Sequence, residues 1–268
     1  MAMGFGCNAV GVTGCRIIAS PKERIMAILT NAFVPCNGRL PTMIVLISAC
    51  FTENRFLAAA ILTGWILLGV FITLLVSSLL NKTLFKNEVS MFFLELPPYR
   101  KPKLTGILLR TFLDRTVFVL GRALLVSVPA GIALWLLQEI YIGDVDLLHR
   151  LCEWMDPLGL FMGMNGVILV SFILSFPANE LLLPLIGLIM NFNSSATLLS
   201  GGQSFLYTVE IHFPMALSIM IFTMFHWPCG TTCLTIHKET GSWKWTAIAT
   251  ALPTLIGFLL CTLISFIL

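Results

Sequence analysis

The chain has 268 residues, of which 57% are hydrophobic and only 11% are charged, and its mean hydropathy is +0.94. Soluble domains carry about 25% charged residues, so these charges are too few to cover a water-soluble globule, and much of the surface is expected to face lipid. The formal net charge of +3 is too small to indicate nucleic acid as a partner.

Uninterrupted apolar runs predict the membrane helices, because about 20 apolar residues are needed to cross the hydrocarbon core. Four runs meet this length: residues 56–80, 117–141, 213–236 and 246–268. Two more apolar regions are interrupted by proline, which ends or kinks a helix. Region 25–51 is split at Pro35 to Pro41, and region 158–192 is divided at Phe176 to Glu180 into a full-length span and a short apolar piece. The fold class expected is therefore all-α, a polytopic transmembrane helical bundle of six or seven segments with broken or re-entrant helices.

Charges between these runs predict the orientation, because cytoplasmic loops are enriched in Lys and Arg. Three basic segments are expected on the cytoplasmic side: residues 16–24, 81–115 and 237–244. The acidic segment 139–156 and the Lys- and Arg-free segment 191–212 are expected outside, together with the C-terminus. Region 158–192 must then enter and leave on one side, as a re-entrant hairpin turning at Asn179 and Glu180. The predicted organisation is a first membrane unit at 1–80, a cytoplasmic basic linker at 81–116 and a second membrane unit at 117–268.

Potential metal ligands recur where helix-breaking residues interrupt the apolar runs. The four breaks are Gly4-Phe5-Gly6-Cys7-Asn8, Pro35-Cys36-Asn37-Gly38, Pro177-Ala178-Asn179-Glu180 and Trp227-Pro228-Cys229-Gly230-Thr231-Thr232. Thiols together with amide and carboxylate oxygens suit Fe²⁺, Mn²⁺ or Zn²⁺ better than Na⁺ or Mg²⁺. A transport site must also release its ion, so weak and incomplete coordination is expected. The candidate metal ligands are Cys7, Asn8, Cys36, Asn179, Glu180 and Cys229.

Each candidate also has a structural interpretation. A single cysteine in an apolar helix commonly serves as a small packing residue, which is the expectation for Cys50 and Cys261. Cys229 and Cys233, one helical turn apart, allow either a second metal-binding step or packing. Glu180 in an apolar stretch indicates an ion path, or else an ion pair within the bundle, for which Arg122 is the candidate partner.

Motifs for catalysis are missing from the sequence. It contains no G-x-x-x-x-G-K-[ST] phosphate loop and no H-E-x-x-H zinc motif. We therefore expect this chain not to be an enzyme, with any GTP hydrolysis on a separate chain.

Several of these motifs resemble the membrane part of the FeoB ferrous-iron transporter family. The similarity is carried by Gly4-Phe5-Gly6-Cys7-Asn8, Cys36 with Arg39-Leu40-Pro41, Leu96-Pro97-Pro98-Tyr99-Arg100, Pro177-Ala178-Asn179-Glu180, Pro228-Cys229 and Glu239-Thr240-Gly241-Ser242-Trp243. Asn179 stands where many members carry Lys. The motifs occur in the family's order and run from Gly4 to the end of the chain.

This resemblance implies a multi-pass protein of the bacterial inner membrane that takes up Fe²⁺ as its transported ion and holds no permanently bound cofactor. It implies the C-terminal half of a split or truncated transporter, whose second membrane unit is gate-like and whose GTP-binding half is on another chain. Membrane lipid is the other expected partner, and a homo-oligomer is left open. The alternatives are a non-conducting membrane scaffold or assembly subunit of such a transporter, and a thiol-redox membrane protein.

Overall fold

A computed structural model of the chain describes residues 2–51, 54–83, 117–142, 145–189 and 212–267, and these are overwhelmingly helical. The α-helices are α1 Asn8–Gly14, α2 Pro21–Thr30, α3 Leu40–Cys50, α4 Arg55–Thr83, α5 Phe118–Glu139, α6 Leu147–Phe161, α7 Gly166–Leu174, α8 Leu182–Ile189, α9 Phe213–Phe225, α10 Gly230–Thr240 and α11 Trp243–Ile267. Short 3₁₀ helices occupy Ala2–Phe5, Cys15–Ile17, Asn31–Phe33 and Asn179–Leu181. The strands Tyr141–Ile142 and Val145–Asp146 form a small antiparallel pair. The predicted all-α fold with broken helices is confirmed.

Helices long and apolar enough to cross a membrane occur three times in the described part of the chain. They are Arg55–Thr83, the interrupted stretch Phe213–Thr240 and Trp243–Ile267, and the bent pair α6–α7 raises the number to four. Helix α5, which contains the apolar stretch Ala123–Leu137, coincides with the remaining predicted run, and shorter apolar helices lie at Leu40–Cys50 and Asn179–Ile189. The protein is therefore a multi-pass membrane protein.

The outer faces of the long helices are apolar, which identifies them as the lipid-facing surface. On α4, Phe71 and Leu74 are each 62% exposed, and on α11 Leu259 and Phe266 are exposed as well. A water-soluble monomer rarely exposes apolar patches of this extent. Backbone hydrogen bonds inside each helix satisfy its polar groups, which lipid cannot do.

One hydrophobic core joins the two predicted membrane units. Phe33, from the first unit, lies 6.1 Å from Phe225 of the second between ring centroids. Phe222 packs edge-on against Phe172, with centroids 4.8 Å apart. Residues of α2, α3, α4, α7, α8, α9 and α11 belong to this single cluster. The unit boundaries stay a prediction, but the described parts of the two units pack as one body.

The region 158–192 differs from the prediction, because the expected full-length span is interrupted by an additional turn. Helix α6 ends at Phe161, and α7, at 106° to it, has only nine residues. Gly163 in the turn has φ of +70°, a conformation that favours glycine. The carboxylate of Asp156 accepts a hydrogen bond from the Gly166 N–H at 2.7 Å, which fixes the start of α7. The interruption that was predicted, at Phe176 to Glu180, is present as a turn followed by the short 3₁₀ helix.

Two basic segments lie at the same end of the bundle, as the charge pattern predicts. Arg16 donates to both carboxylate oxygens of Glu239, at 2.7 Å from Nε and 2.6 Å from Nη2. The segments 16–24 and 237–244 therefore share one side, whose identity as cytoplasmic stays a prediction. The third basic segment and the Leu96-to-Arg100 motif lie mostly in 84–116, outside the described residues, as do 190–211 and the side chain of Arg122.

Candidate functional site

Each of the four predicted breaks lies immediately before the start of a helix. Cys7 is the N-cap residue of α1 and Cys229 that of α10, while Arg39 precedes α3 and Ala178 precedes the 3₁₀ helix Asn179–Leu181. None of these four side chains makes a capping hydrogen bond to its own helix. Glycine and proline in these breaks end one helix before the next begins. Because Cys7 and Cys229 do not cap their helices, their side chains are available for other contacts.

The four breaks enclose a single cavity of about 200 Å³. All six candidate ligands from the sequence line it, although they come from segments widely separated along the chain. The lining residues are Gly6, Cys7, Asn8, Cys36, Asn37, Gly38, Ala123, Ser127, Pro177, Ala178, Asn179, Glu180, Cys229 and Thr231. The structure thus brings the sequence-predicted residues together, and their service as metal ligands stays a prediction.

Backbone contacts between the breaks hold this cavity together. The N–H of Asn37 donates to the carbonyl of Gly6 at 3.3 Å, which joins the first break to the second. The N–H of Gly230 donates to the carbonyl of Phe176 at 2.7 Å, which joins the fourth break to the third. A Cβ built on Gly38 would lie 3.1 Å from Cγ of Glu180, so a side chain at position 38 would push the Glu180 side chain where the second and third breaks meet.

The candidate ligands differ in their exposure and in how far their polar atoms are satisfied. Asn8, Cys36 and Asn179 are buried, Cys7 and Cys229 are half-buried, and Glu180 is exposed. The carboxamide of Asn8 is only 3% exposed, yet neither its oxygen nor its nitrogen has a hydrogen-bond partner in the described structure. A buried amide without a partner is costly, and a cation or water in the cavity would satisfy it.

Asn179 is held from behind by a buried histidine. Nε2 of His226 lies 3.3 Å from Oδ1 of Asn179, and Nδ1 lies 2.9 Å from the Thr223 carbonyl. Because Nδ1 faces backbone acceptors, it carries the proton. In the neutral ring Nε2 is then an acceptor, so the Asn179 group that faces it must be a donor. Exchanging the oxygen and nitrogen of the Asn179 carboxamide places its NH₂ group there. His226 is thus a hydrogen-bonding residue that supports a candidate ligand.

The remaining cysteines separate according to position. Cys229 faces the cavity, with Sγ 3.2 Å from Oγ1 of Thr232. Cys233, one turn along, is buried between the Pro228 carbonyl at 3.5 Å and Oγ1 of Thr250 at 3.6 Å. Cys261 is fully buried and contacts the Ser218 carbonyl at 3.4 Å. Cys233 and Cys261 therefore serve packing, which is the interpretation expected for Cys261 and one of the two left open for Cys233.

The described residues contain no group of three His, Cys, Asp or Glu side chains placed to hold a metal ion together. The three thiols and one carboxylate are instead distributed around the cavity wall, with amides between them. Such spacing suits successive weak contacts with a moving ion better than one tight chelate.

Several lining residues were not among the sequence candidates. Ala123 and Ser127 belong to α5, and the apolar run that contains them indicated only a membrane helix. Thr231 lies two residues after Cys229, within the fourth break, but was not singled out as a candidate ligand. Arg39, fully buried beside the cavity, was recognised only as part of a family motif.

A multi-pass helical protein whose discontinuous helices meet at one cavity has the architecture with which membrane carriers build ion sites. Comparison with known proteins narrows this class. Residues 59–114 match the family model described as the ferrous iron transport protein B C terminus, and residues 120–243 match the Gate model, described as nucleoside recognition.

The chain is 31% identical over 274 residues to the Fe(2+) transporter FeoB of Staphylococcus aureus strain COL, covering 97% of this chain and 39% of that protein. It is 28% identical over 286 residues to the Fe(2+) transporter FeoB of Methanocaldococcus jannaschii, covering 100% of this chain and 40% of that protein. The chain therefore contains the FeoB C-terminal and Gate domains and corresponds to the C-terminal part of these relatives. It spans about two fifths of the length of these relatives, and no solved structure matches it.

Proposed function

We propose that this chain is a membrane permease component for ferrous-iron uptake, and that Fe²⁺ passes through the cavity at the four helix breaks. The observation that carries this proposal is the convergence of Cys7, Cys36, Cys229 and Glu180 on one cavity from four separate segments. The names of the relatives, Fe(2+) transporter FeoB, support the choice of ion.

The chemistry of the lining fits an ion of intermediate softness. Thiolates favour transition metals, whereas carboxylate and amide oxygens also accept harder ions, so the mixed set suits Fe²⁺. A thiol that binds a metal loses its proton, so passage of the ion involves proton release and uptake at the cysteines. Glu180, the most exposed of the candidates, attracts the ion, and Asn8 offers its unpartnered oxygen at a more buried point.

Substitution of the cavity cysteines tests the proposal. Cys7→Ser, Cys36→Ser and Cys229→Ser should each lower Fe²⁺ uptake at least about tenfold, since a thiolate ligand is exchanged for a neutral hydroxyl. Uptake is measured with radioactive Fe²⁺ in cells lacking other iron importers, normalised to the amount of protein in the membrane. Glu180→Gln should raise the Fe²⁺ concentration needed for half-maximal uptake.

The matched control is Cys50→Ser, because Cys50 is half-buried at the end of α3 and does not line the cavity. It should leave uptake unchanged. Normal uptake in all three cavity variants, with normal protein amounts, would refute the pathway.

We further propose that the chain works in the bacterial cytoplasmic membrane with the GTP-binding half of a FeoB-type transporter on a separate polypeptide. The chain spans about two fifths of the length of its relatives, and coexpression tests whether it works with such a half. Coexpression with a tagged GTP-binding half should copurify this chain and produce GTP-dependent uptake.

A non-conducting scaffold or assembly subunit of such a transporter is the second candidate function. The two functions differ in a binding experiment. The scaffold predicts that the purified complex retains assembly in the three cysteine variants and that no variant changes Fe²⁺ movement into vesicles.

A further inference from the structure

Arg39 is the largest fully buried side chain in the described part of the protein, and its guanidinium is surrounded by backbone carbonyls. Nη1 donates to the carbonyls of Ala32 at 2.8 Å and Met224 at 2.9 Å. Nη2 donates to those of His226 at 2.9 Å and Trp227 at 3.3 Å. Four carbonyl oxygens from two broken helices thus converge on one side chain; we call these four carbonyls the carbonyl cage.

The charge of Arg39 is balanced by backbone dipoles. The ion pairs found among the described residues are Arg16–Glu239 and His149–Asp146, and Arg39 takes part in neither. Three of its acceptors lie at the C-terminal end of α9, where unsatisfied carbonyls carry partial negative charge. Burying a charge without a carboxylate is costly, so a requirement other than packing must account for an arginine here.

Carbonyls at the ends of broken membrane helices are the ligands that carriers use for Na⁺ and similar hard ions. Carbonyl oxygens also suit Ca²⁺ and Mg²⁺. The carbonyl cage has this composition, and it adjoins the cavity. The Arg39 N–H donates to the Cys36 carbonyl at 2.9 Å, and the Trp227 carbonyl lies two residues before Cys229.

We infer that Arg39 is a specificity-determining residue, a tethered cation that permanently occupies the carbonyl cage and so denies hard cations a binding site beside the thiol-lined cavity. Removal of the guanidinium exposes four converging oxygens, which then bind a free cation in its place. The inference deepens the proposed function and rests on it for its biological meaning, but binding of a cation to the emptied cage can be measured without iron.

The test uses the full chain purified in detergent as Arg39→Ala and Arg39→Gln, with thermal unfolding as the readout. At constant ionic strength, exchange of a bulky organic cation for K⁺ or Na⁺ should raise the unfolding midpoint of both variants and leave the wild type unchanged. Guanidinium at millimolar concentration should raise it by at least about 3 °C. Urea, which has the same planar shape without the charge, should have no such effect at equal concentration.

The matched control is Arg24→Gln, because Arg24 also donates to a backbone carbonyl but reaches only one, that of Ile18. It should show no cation-dependent shift. If Arg39→Ala is recovered only when guanidinium is present during purification, that dependence is itself the expected rescue, and Arg39→Gln supplies the titration.

Equal responses of the Arg39 variants to guanidinium and urea, together with no response to K⁺ or Na⁺, would overturn the inference and reduce Arg39 to a structural residue. That result would leave the iron pathway standing. Conversely, normal Fe²⁺ uptake in the cavity cysteine variants would refute the proposed function while the cage could still bind cations.

Discussion

Gly38 is the residue at which the second and third breaks touch, and its lack of a side chain sets the position of Glu180. A Cβ there would lie 3.1 Å from Cγ and 3.3 Å from Oε1 of Glu180, and 3.6 Å from Cβ of Asn179. The two distances to Glu180 are shorter than ordinary van der Waals contacts, but the Glu180 side chain is flexible and can move aside. A methyl group at position 38 is therefore expected to move the carboxylate without unfolding the protein.

We predict that Gly38→Ala lowers Fe²⁺ uptake several-fold while the protein amount stays close to that of the wild type. Glu180→Asp shortens the displaced side chain, so the double variant should take up more Fe²⁺ than Gly38→Ala alone. Gly187→Ala is the control, because nothing lies within 4 Å of its added Cβ. Additive losses in the double variant would show that the two residues act independently, contrary to the structure.

At this scale, the sequence predicted which residues line the cavity better than it predicted the contacts that support them. Cys7, Cys36, Glu180 and Cys229 could be recognised because a thiol or carboxylate beside proline or glycine in an apolar run is unusual. The partners of Arg39 and Asn179 could not be recognised. Their contacts are formed with α9 and His226, far away in sequence, and they depend on how the broken helices pack.

The bent pair α6–α7 departs most from what the sequence predicts. The turn between the two helices depends on close packing of their backbones. A Cβ on Gly166 would overlap the carbonyl oxygen of Cys152 and lie 2.9 Å from the backbone N of Asp156. Periodicity described 158–176 as one apolar run and gave no sign of this turn. Glycine at 159, 163 and 166 was the available signal, but its meaning depends on a backbone that approaches from the preceding helix.

We predict that Gly166→Ala destabilises the protein by about 2 kcal/mol or more, because rigid backbone cannot move aside as a side chain can. The measurement is the midpoint of thermal unfolding in detergent. Gly131→Ala on α5 serves as the control, since nothing lies within 4 Å of its added Cβ and alanine favours a helix. Equal unfolding midpoints for the two variants would contradict the close packing of α6 against α7.

For the molecule as a whole, the sequence predicted two membrane units joined by a basic linker, and the structure packs their described residues around one core. The two units meet through Phe33 with Phe225 and through the Arg39 carbonyl cage. Met224 of α9 also fills the space beside Gly69 of α4. The sequence could indicate apolar faces but not which faces meet, so the shared core was beyond prediction. A cavity lined from both units requires them to associate.

This shared core predicts how the chain behaves when it is divided within the linker. Two polypeptides, 1–100 and 101–268, should copurify through a tag on either one when coexpressed, since each alone would expose its part of the shared core. Phe33→Ala in the first fragment should reduce recovery of the second, because truncating a fully buried phenylalanine typically costs about 3–5 kcal/mol. Phe71→Ala is the matched control, since Phe71 faces the lipid side of α4. Recovery of either fragment alone as a stable, monodisperse protein would mean that the units are independent, and the cavity would then have to form by docking of two finished domains.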